Sequence, residues 1–164
     1  MQLGFAQEIP ETGLTLQENA LQKAQFIWDT FKQPCFADDT GLEVEALHGA
    51  PGVHSARFAG DHCPFADNIR KLLTLMDGQS NRNACFRCVI ALILDGTTHF
   101  FEGRVDGTLT TTLQGEQGFG YDPLFVPDGY DKTFAQLPSE VKNAISHRGR
   151  ALEKMAAFLQ EKRQ

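Results

Sequence analysis

The chain has 164 residues, 41% hydrophobic and 22% charged, with a formal net charge of −6. That length suits one domain, residues 1–164, able to bury a core without covalent staples, and the charge excludes a general basic field for nucleic acid. No apolar run approaches membrane-span length, and the opening MQLGFAQEIPETG lacks a basic-then-apolar signal pattern, so the cytoplasm is the expected location.

In chain order, TLQENALQKAQFIWDTF predicts a helix. Thr15 is a suitable N-cap with Glu18 as its capping-box partner, and Ala20, Ala24, Ile27, Trp28 and Phe31 recur at helical spacing. CFADD and LEVEAL predict two short strands around a turn at Thr40 and Gly41. HGAPGVHSARFAG is a loop rich in Gly and Pro. PFADNIRKLLTLM predicts a second helix, with Phe65, Ile69, Leu72, Leu73 and Met76 on one face. ACFRCVIALIL and THFFEGRVDGTL flank Asp95-Gly96, a strong hairpin signal, and Gly103 reads as a bulge in the second strand. The loop QGEQGFG leads into a short strand, YDPLFVP, and SEVKNAISHRGRALEKMAAFLQEK is helical, with Leu152, Met155 and Leu159 as its core stripe. The pattern is α/β with antiparallel pairing in the middle.

Four cysteines are present: Cys35, Cys63, Cys85 and Cys88. Cys85 and Cys88 form a C-x-x-C, but on a strand residues three apart face opposite sides and cannot clamp one metal. Buried, reduced thiols are the expectation.

Four constellations can carry chemistry. Asp38 and Asp39 are adjacent carboxylates; on a strand they face opposite ways, and only at a strand's end would both reach one site. Alone they read as turn chemistry, whereas with Glu8 or Glu11 nearby they would make an oxygen site for Mg²⁺, which needs one or two carboxylates plus phosphates. In QGFGYDP, glycines around Phe119 admit close approach, Phe119 and Tyr121 offer flat faces for a base, and Asp122 offers an acceptor. In KNAISHRGR, Lys142, His147, Arg148 and Arg150 make a cationic patch. At about 100° per residue, one continuous helix cannot aim Lys142, His147 and Arg148 at one ligand; a shared site requires a break near Ala144–Ser146, with Ser146 capping a new helix. Lys23 sits on the first helix, and Arg57 lies in a glycine-rich loop suited to phosphate contact.

Together the segments EIPETGLTLQENALQKA, FADDTGLEVEALHGAPGVHSARFAG, GFGYDPLFVPDGYDKTFAQLP and EVKNAISHRGRAL resemble the inosine triphosphate pyrophosphatase family over nearly the whole chain. The resemblance implies an elongated central mixed sheet, helices in two lobes and a cleft between them. It implies Mg²⁺-dependent hydrolysis of ITP, dITP and XTP to the monophosphate and pyrophosphate by a homodimer. Asp39 matches the proton acceptor and a metal ligand and Glu11 a metal ligand, which leaves Asp38 to be read as a supporting carboxylate for the metal. Lys23, Thr40 and Arg57 match positions around the substrate. Phe119, Gly120, Tyr121 and Asp122 match the base-binding segment, and Lys142, His147 and Arg148 the remaining base-recognition positions.

The family normally opens with a strand, a T-x-x-N-x-x-K phosphate loop, a helix and a second strand. This sequence starts just before the metal glutamate, so the expected form is an N-terminally truncated version of the fold with an exposed sheet edge and weakened phosphate binding. The alternative to an active enzyme is a weakened or inactive purine-nucleotide-binding or partner-binding module.

Overall fold

The computed structural model describes residues 12–60, 64–115 and 120–162, so the expectations placed on Glu8, Glu11, Cys63 and Phe119 lie outside it. Helix α1 spans Leu16–Phe31. Thr15 is its N-cap: the hydroxyl accepts the Glu18 N–H at 3.1 Å. The Glu18 carboxylate reaches back to the Leu14 N–H at 2.7 Å, so two donors at the helix start are satisfied reciprocally. The buried face is Leu16, Asn19, Ala20, Ala24 and Ile27; Phe31, at the last helical position, is largely exposed instead of joining it.

Strand β1 runs unbroken from Cys35 to Val44, where the sequence predicts two strands and a turn. Gly41 misleads because it serves a non-local contact. A Cβ there would stand 2.5 Å from the Gly52 carbonyl oxygen, so glycine admits the following loop against the strand. That loop covers part of the strand's outer edge: Leu42 N–H donates to Ser55 Oγ at 2.9 Å and Val44 N–H to the Ala50 carbonyl at 3.0 Å.

Strands β2 (Asn83–Leu94) and β3 (Thr97–Leu109) form the predicted hairpin, with Asp95 and Gly96 both at positive φ (53° and 76°), as a type I′ turn needs. The pairing is continuous from Asn83–Thr108 to Leu94–Thr97, so Gly103 is not a bulge. A Cβ at Gly103 would fall 1.9 Å from the His147 carbonyl oxygen; the glycine lets a helix start on the sheet. Strand β4 (Phe125–Pro127) pairs with Gly107–Leu109. The order is β1-β2-β3-β4, antiparallel throughout the described residues, which hold only antiparallel pairs of the mixed sheet that the resemblance implies. For β2 and β3 the two-residue turn dictates the antiparallel sense, since a parallel neighbour needs a long crossover.

Helices α2 (Phe65–Met76), α3 (Ser139–Ile145) and α4 (His147–Lys162) complete the fold. On one face of the sheet α1 lays Leu16, Ala20, Ala24 and Ile27 on Val89, Ala91 and Ile93. On the other, α4 packs Ala151 and Met155 on Cys88, Ile90 and Leu92, while Leu72 and Met76 of α2 join Leu42, Val44, Phe86 and Phe125. Each large apolar side chain buried this way contributes about 1.5–3 kcal/mol. The α4 stripe is centred on Ala151 and Met155, and Leu152 is 37% exposed. The helix backbone lies close to Gly103 at this point: a Cβ on Gly103 would stand 2.5 Å from the Ala151 nitrogen.

Candidate active site

The site depends on a break in the C-terminal helical stretch. Ser146 has extended backbone (φ −64°, ψ 155°) between α3 and α4. Its N–H donates to the Lys142 carbonyl at 2.8 Å, closing α3, and its Oγ accepts the Gly149 N–H at 3.0 Å, opening α4. The break falls where the convergence argument requires it. It brings Lys142, His147 and Arg148 to one cavity of about 370 Å³, lined also by Thr40, Gly120, Tyr121 and Asp122.

Within the cavity Asp122 is buried, and Lys142 forms an ion pair with its Oδ2. Desolvating one charge without the other would be costly, so each fixes its partner. The His147 ring lies on Phe86, with centroids 4.8 Å apart and planes 14° from parallel. Burial, followed by the nearby Lys142 and Arg148 charges, pushes its pKa down to about 4. His147 is therefore a neutral imidazole at physiological pH. Its Nδ1 is buried and has no hydrogen-bond partner among the described residues.

Tyr121 differs from the open stacking platform that the sequence suggests. It is buried, its hydroxyl donates to the Ser55 carbonyl at 2.6 Å, and its ring meets Phe65 edge-on at 5.7 Å. Tyr121 thus ties the Gly120–Asp122 segment to the 3-10 helix Gly52–Arg57. Arg57 ends that helix half-buried; Ser55 and Ala56, but not Arg57 itself, line the cavity.

The two aspartates separate. They sit mid-strand, Asp38 opposite Ile90 and Asp39 opposite Val89, and not at a strand's end. Alternation sends them to opposite faces. Asp39 is buried under α1, with Lys23 Nζ 3.8 Å from its Oδ1. Asp38 lies on the cavity's face of the sheet, 3.7 Å from Arg148 Nε and 3.8 Å from Cys88 Sγ. Neither Asp39 nor Lys23 lines the cavity.

A family model described as Ham1 family matches residues 1–158. The chain belongs to the Ham1 family. A dITP/XTP pyrophosphatase of Porphyromonas gingivalis is 52% identical over 159 residues, covering 96% of this chain and 82% of that relative. The dITP/XTP pyrophosphatase of Bacillus subtilis is 43% identical over 162 residues, covering 97% and 82%. The solved structure of the Staphylococcus aureus Ham1 protein superposes with a TM-score of 0.91 at 42% identity, covering 96% of this chain and 82% of that one. The family resemblance carried by the motifs and the α/β fold are both borne out.

In this Ham1-family chain the C-x-x-C is not a metal clamp. Cys85 faces Glu43, Cys88 faces Asp38, and both are buried and unbridged, as is Cys35. No group of three metal-ligating side chains occurs among the described residues. The donor chemistry still fits a hard cation in part. Asp39 would offer one carboxylate, and a site completed by phosphate oxygens would need only one or two. Asp38 lies on the other face of the strand, toward Arg148.

Phe86, Ser55 and Phe65 line the cavity without being singled out from the sequence. Phe86 is hidden within the uniformly apolar ACFRCVIALIL. Only the register, which places it opposite Leu42 and Val105, distinguishes it from its neighbours.

Proposed function

We propose that the chain hydrolyses the nonstandard purine nucleoside triphosphates dITP, ITP and XTP to the monophosphate and pyrophosphate, clearing them from the nucleotide pool. The observation that carries this reading is the one-residue step from Asp39 to Thr40. Thr40 opens onto the cavity walled by the Phe86–His147 stack and the Asp122–Lys142 pair. Asp39 presents its carboxylate on the opposite face, beside Lys23. A nucleotide can seat its base in that cavity. Its phosphates are then directed toward the neighbouring Asp39 and Lys23.

In this role the Asp39 carboxylate accepts a proton from a water attacking the α-phosphorus. The bond from that phosphorus to the bridging oxygen breaks, and pyrophosphate leaves. Lys23 and Arg57 offset phosphate charge, which suits a reaction governed by positioning and neutralisation more than by covalent help. Asp39, with Glu11 and phosphate oxygens, would hold Mg²⁺, which supplies Lewis-acid neutralisation and a more acidic water when bound. At the base end, Arg148 can only donate, and neutral His147 has an N–H to offer. Such donors favour a 6-oxo purine and oppose adenine, whose 6-amino group is itself a donor. The predicted assembly and location, a homodimer in the cytoplasm, complete the reading.

The test is pyrophosphate release from dITP, ITP, XTP and dATP, with Mg²⁺ and with chelator. Mg²⁺-dependent release from the first three, well above dATP, is the expected result. Absence of release from all four, with ITP binding retained in calorimetry, would replace the enzyme by a binding module.

A further inference from the structure

We propose that Asp38 is a positioning residue for Arg148, holding the guanidinium at the mouth of the cavity from behind, and is not a second metal carboxylate. This rests on the reading of the cavity as the seat of a purine. Asp38 and Asp39 are separated by the sheet itself, with opposite partners, Arg148 and Lys23. A metal held on Asp39 is out of reach of a carboxylate on the far face of the same strand.

The local contacts say what Asp38 does instead. Arg148 is the second residue of α4, its side chain is 63% exposed, and Asp38 is its one ion-pair partner among the described residues. A long exposed arginine loses much rotamer freedom on ordering. The closest atom to the carboxylate is Nε, which leaves the two terminal nitrogens of the fork for a ligand. Asp38 is suited to hold it. Its side chain is only 27% exposed, it stands on the interior of a paired strand, and Cys88 Sγ approaches the same oxygen, Oδ2. Cys88 is fully buried, and its pKa is pushed up to about 12, by burial first and by the Asp38 charge second. The thiol therefore stays protonated and serves as a fixed S–H donor to the carboxylate. An ion pair this exposed adds little to folding, so the value of the contact lies in where it aims Arg148.

Three readouts test this. The first is calorimetric binding of inosine monophosphate to wild type, Asp38→Asn, Arg148→Gln and the double variant. Asp38→Asn is expected to weaken binding roughly five- to tenfold. In the Arg148→Gln background the same change is expected to add nothing, because both act through one side chain. Additive losses, or unchanged binding in Asp38→Asn, would overturn the proposal. The second readout is Mn²⁺ binding followed by electron paramagnetic resonance: equal affinity in wild type and Asp38→Asn is expected, and a clear loss in the variant would return Asp38 to the metal. The third needs no nucleotide. The Arg148 Nε–H signal in ¹⁵N spectra should be dispersed in wild type and collapse toward the free-arginine position in Asp38→Asn; a free-arginine position already in wild type would sink the contact. Failure of wild type to bind inosine monophosphate while the Nε–H signal behaves as expected would overturn the purine reading and leave the Asp38–Arg148 contact standing.

Discussion

The two faces of β1 do different work with adjacent residues. Under α1, Asp39 is buried beside a lysine on a face otherwise packed with Ala20, Ala24 and Ile27. On the other side, Thr40 lines an open cavity, with Asp38 behind Arg148, and the cavity's polar groups come from four separate stretches, 40, 55, 120–122 and 142–148. The first face is built by one helix with a closed cap. The second needs a broken helix, a glycine contact and a long-range tyrosine hydrogen bond. A buried charge needs little more than a partner to hold it, whereas a cavity assembled from several elements needs all of them to agree in position.

Substitutions that strike one face alone test the division. The largest effect is expected from Asp39→Asn: pyrophosphate release from dITP should fall about 10²–10⁴-fold, the usual loss for a general base. Inosine monophosphate binding in calorimetry should stay within about twofold of wild type. Parallel loss of both would erase the distinction between the faces. Next is Gly103→Ala, whose Cβ would meet the His147 carbonyl oxygen at 1.9 Å. The first turn of α4 must shift, costing roughly 2–3 kcal/mol and lowering the melting temperature by about 5–10 °C. Inosine monophosphate binding should weaken as the base-reading pair moves.

A pH series sharpens the same face. The folded chain keeps His147 neutral down to about pH 4, below the ordinary histidine value of 6.5. The unfolded chain takes up that proton first as pH falls. The contribution of His147 is therefore intact above about pH 6.5 and lost progressively toward pH 4, by at most about 3 kcal/mol. Urea unfolding at pH 7.0 and 4.5 should show wild type losing more stability over that interval than His147→Gln; equal losses would mean that the imidazole is not held neutral. The smallest effect is expected on the α1 face. Thr15→Ala removes the hydroxyl cap on Glu18 N–H and should cost about 1 kcal/mol, read by urea midpoint, with inosine monophosphate binding unchanged.

The features legible in the sequence are those with a local cause. Thr15 with Glu18, Asp95-Gly96 and Ser146 each impose their geometry through their own or the next few residues, and all three behave as their chemistry predicts. Gly41 and Gly103 were misread, one as a turn and one as a bulge, because their reason is a distant backbone, Gly52 in one case and His147 in the other. Leu152 displaced Ala151 from the predicted stripe by the same blindness: nothing near position 151 announces that Gly103 will press against it. At the site, motifs placed most of the cavity's predicted lining. Phe86, inside an even apolar strand, required the register, and the burial of Tyr121 required knowing where Ser55 lies.

The unbroken course of β1 also constrains how this chain can change length. Side chains on a strand alternate with period two, so removing one residue between Cys35 and Asp38 would carry Asp39 and its neighbours to the wrong sides of the sheet. Removing two would restore the faces but slide the chemistry about 7 Å along the strand. Neither change can be absorbed by a compensating side chain, since every partner from Lys23 to Arg148 sits on an element fixed independently. β1 should therefore tolerate substitution far better than insertion or deletion. A scan of single-residue deletions should find residues 35–44 intolerant and the exposed stretch 111–115 permissive.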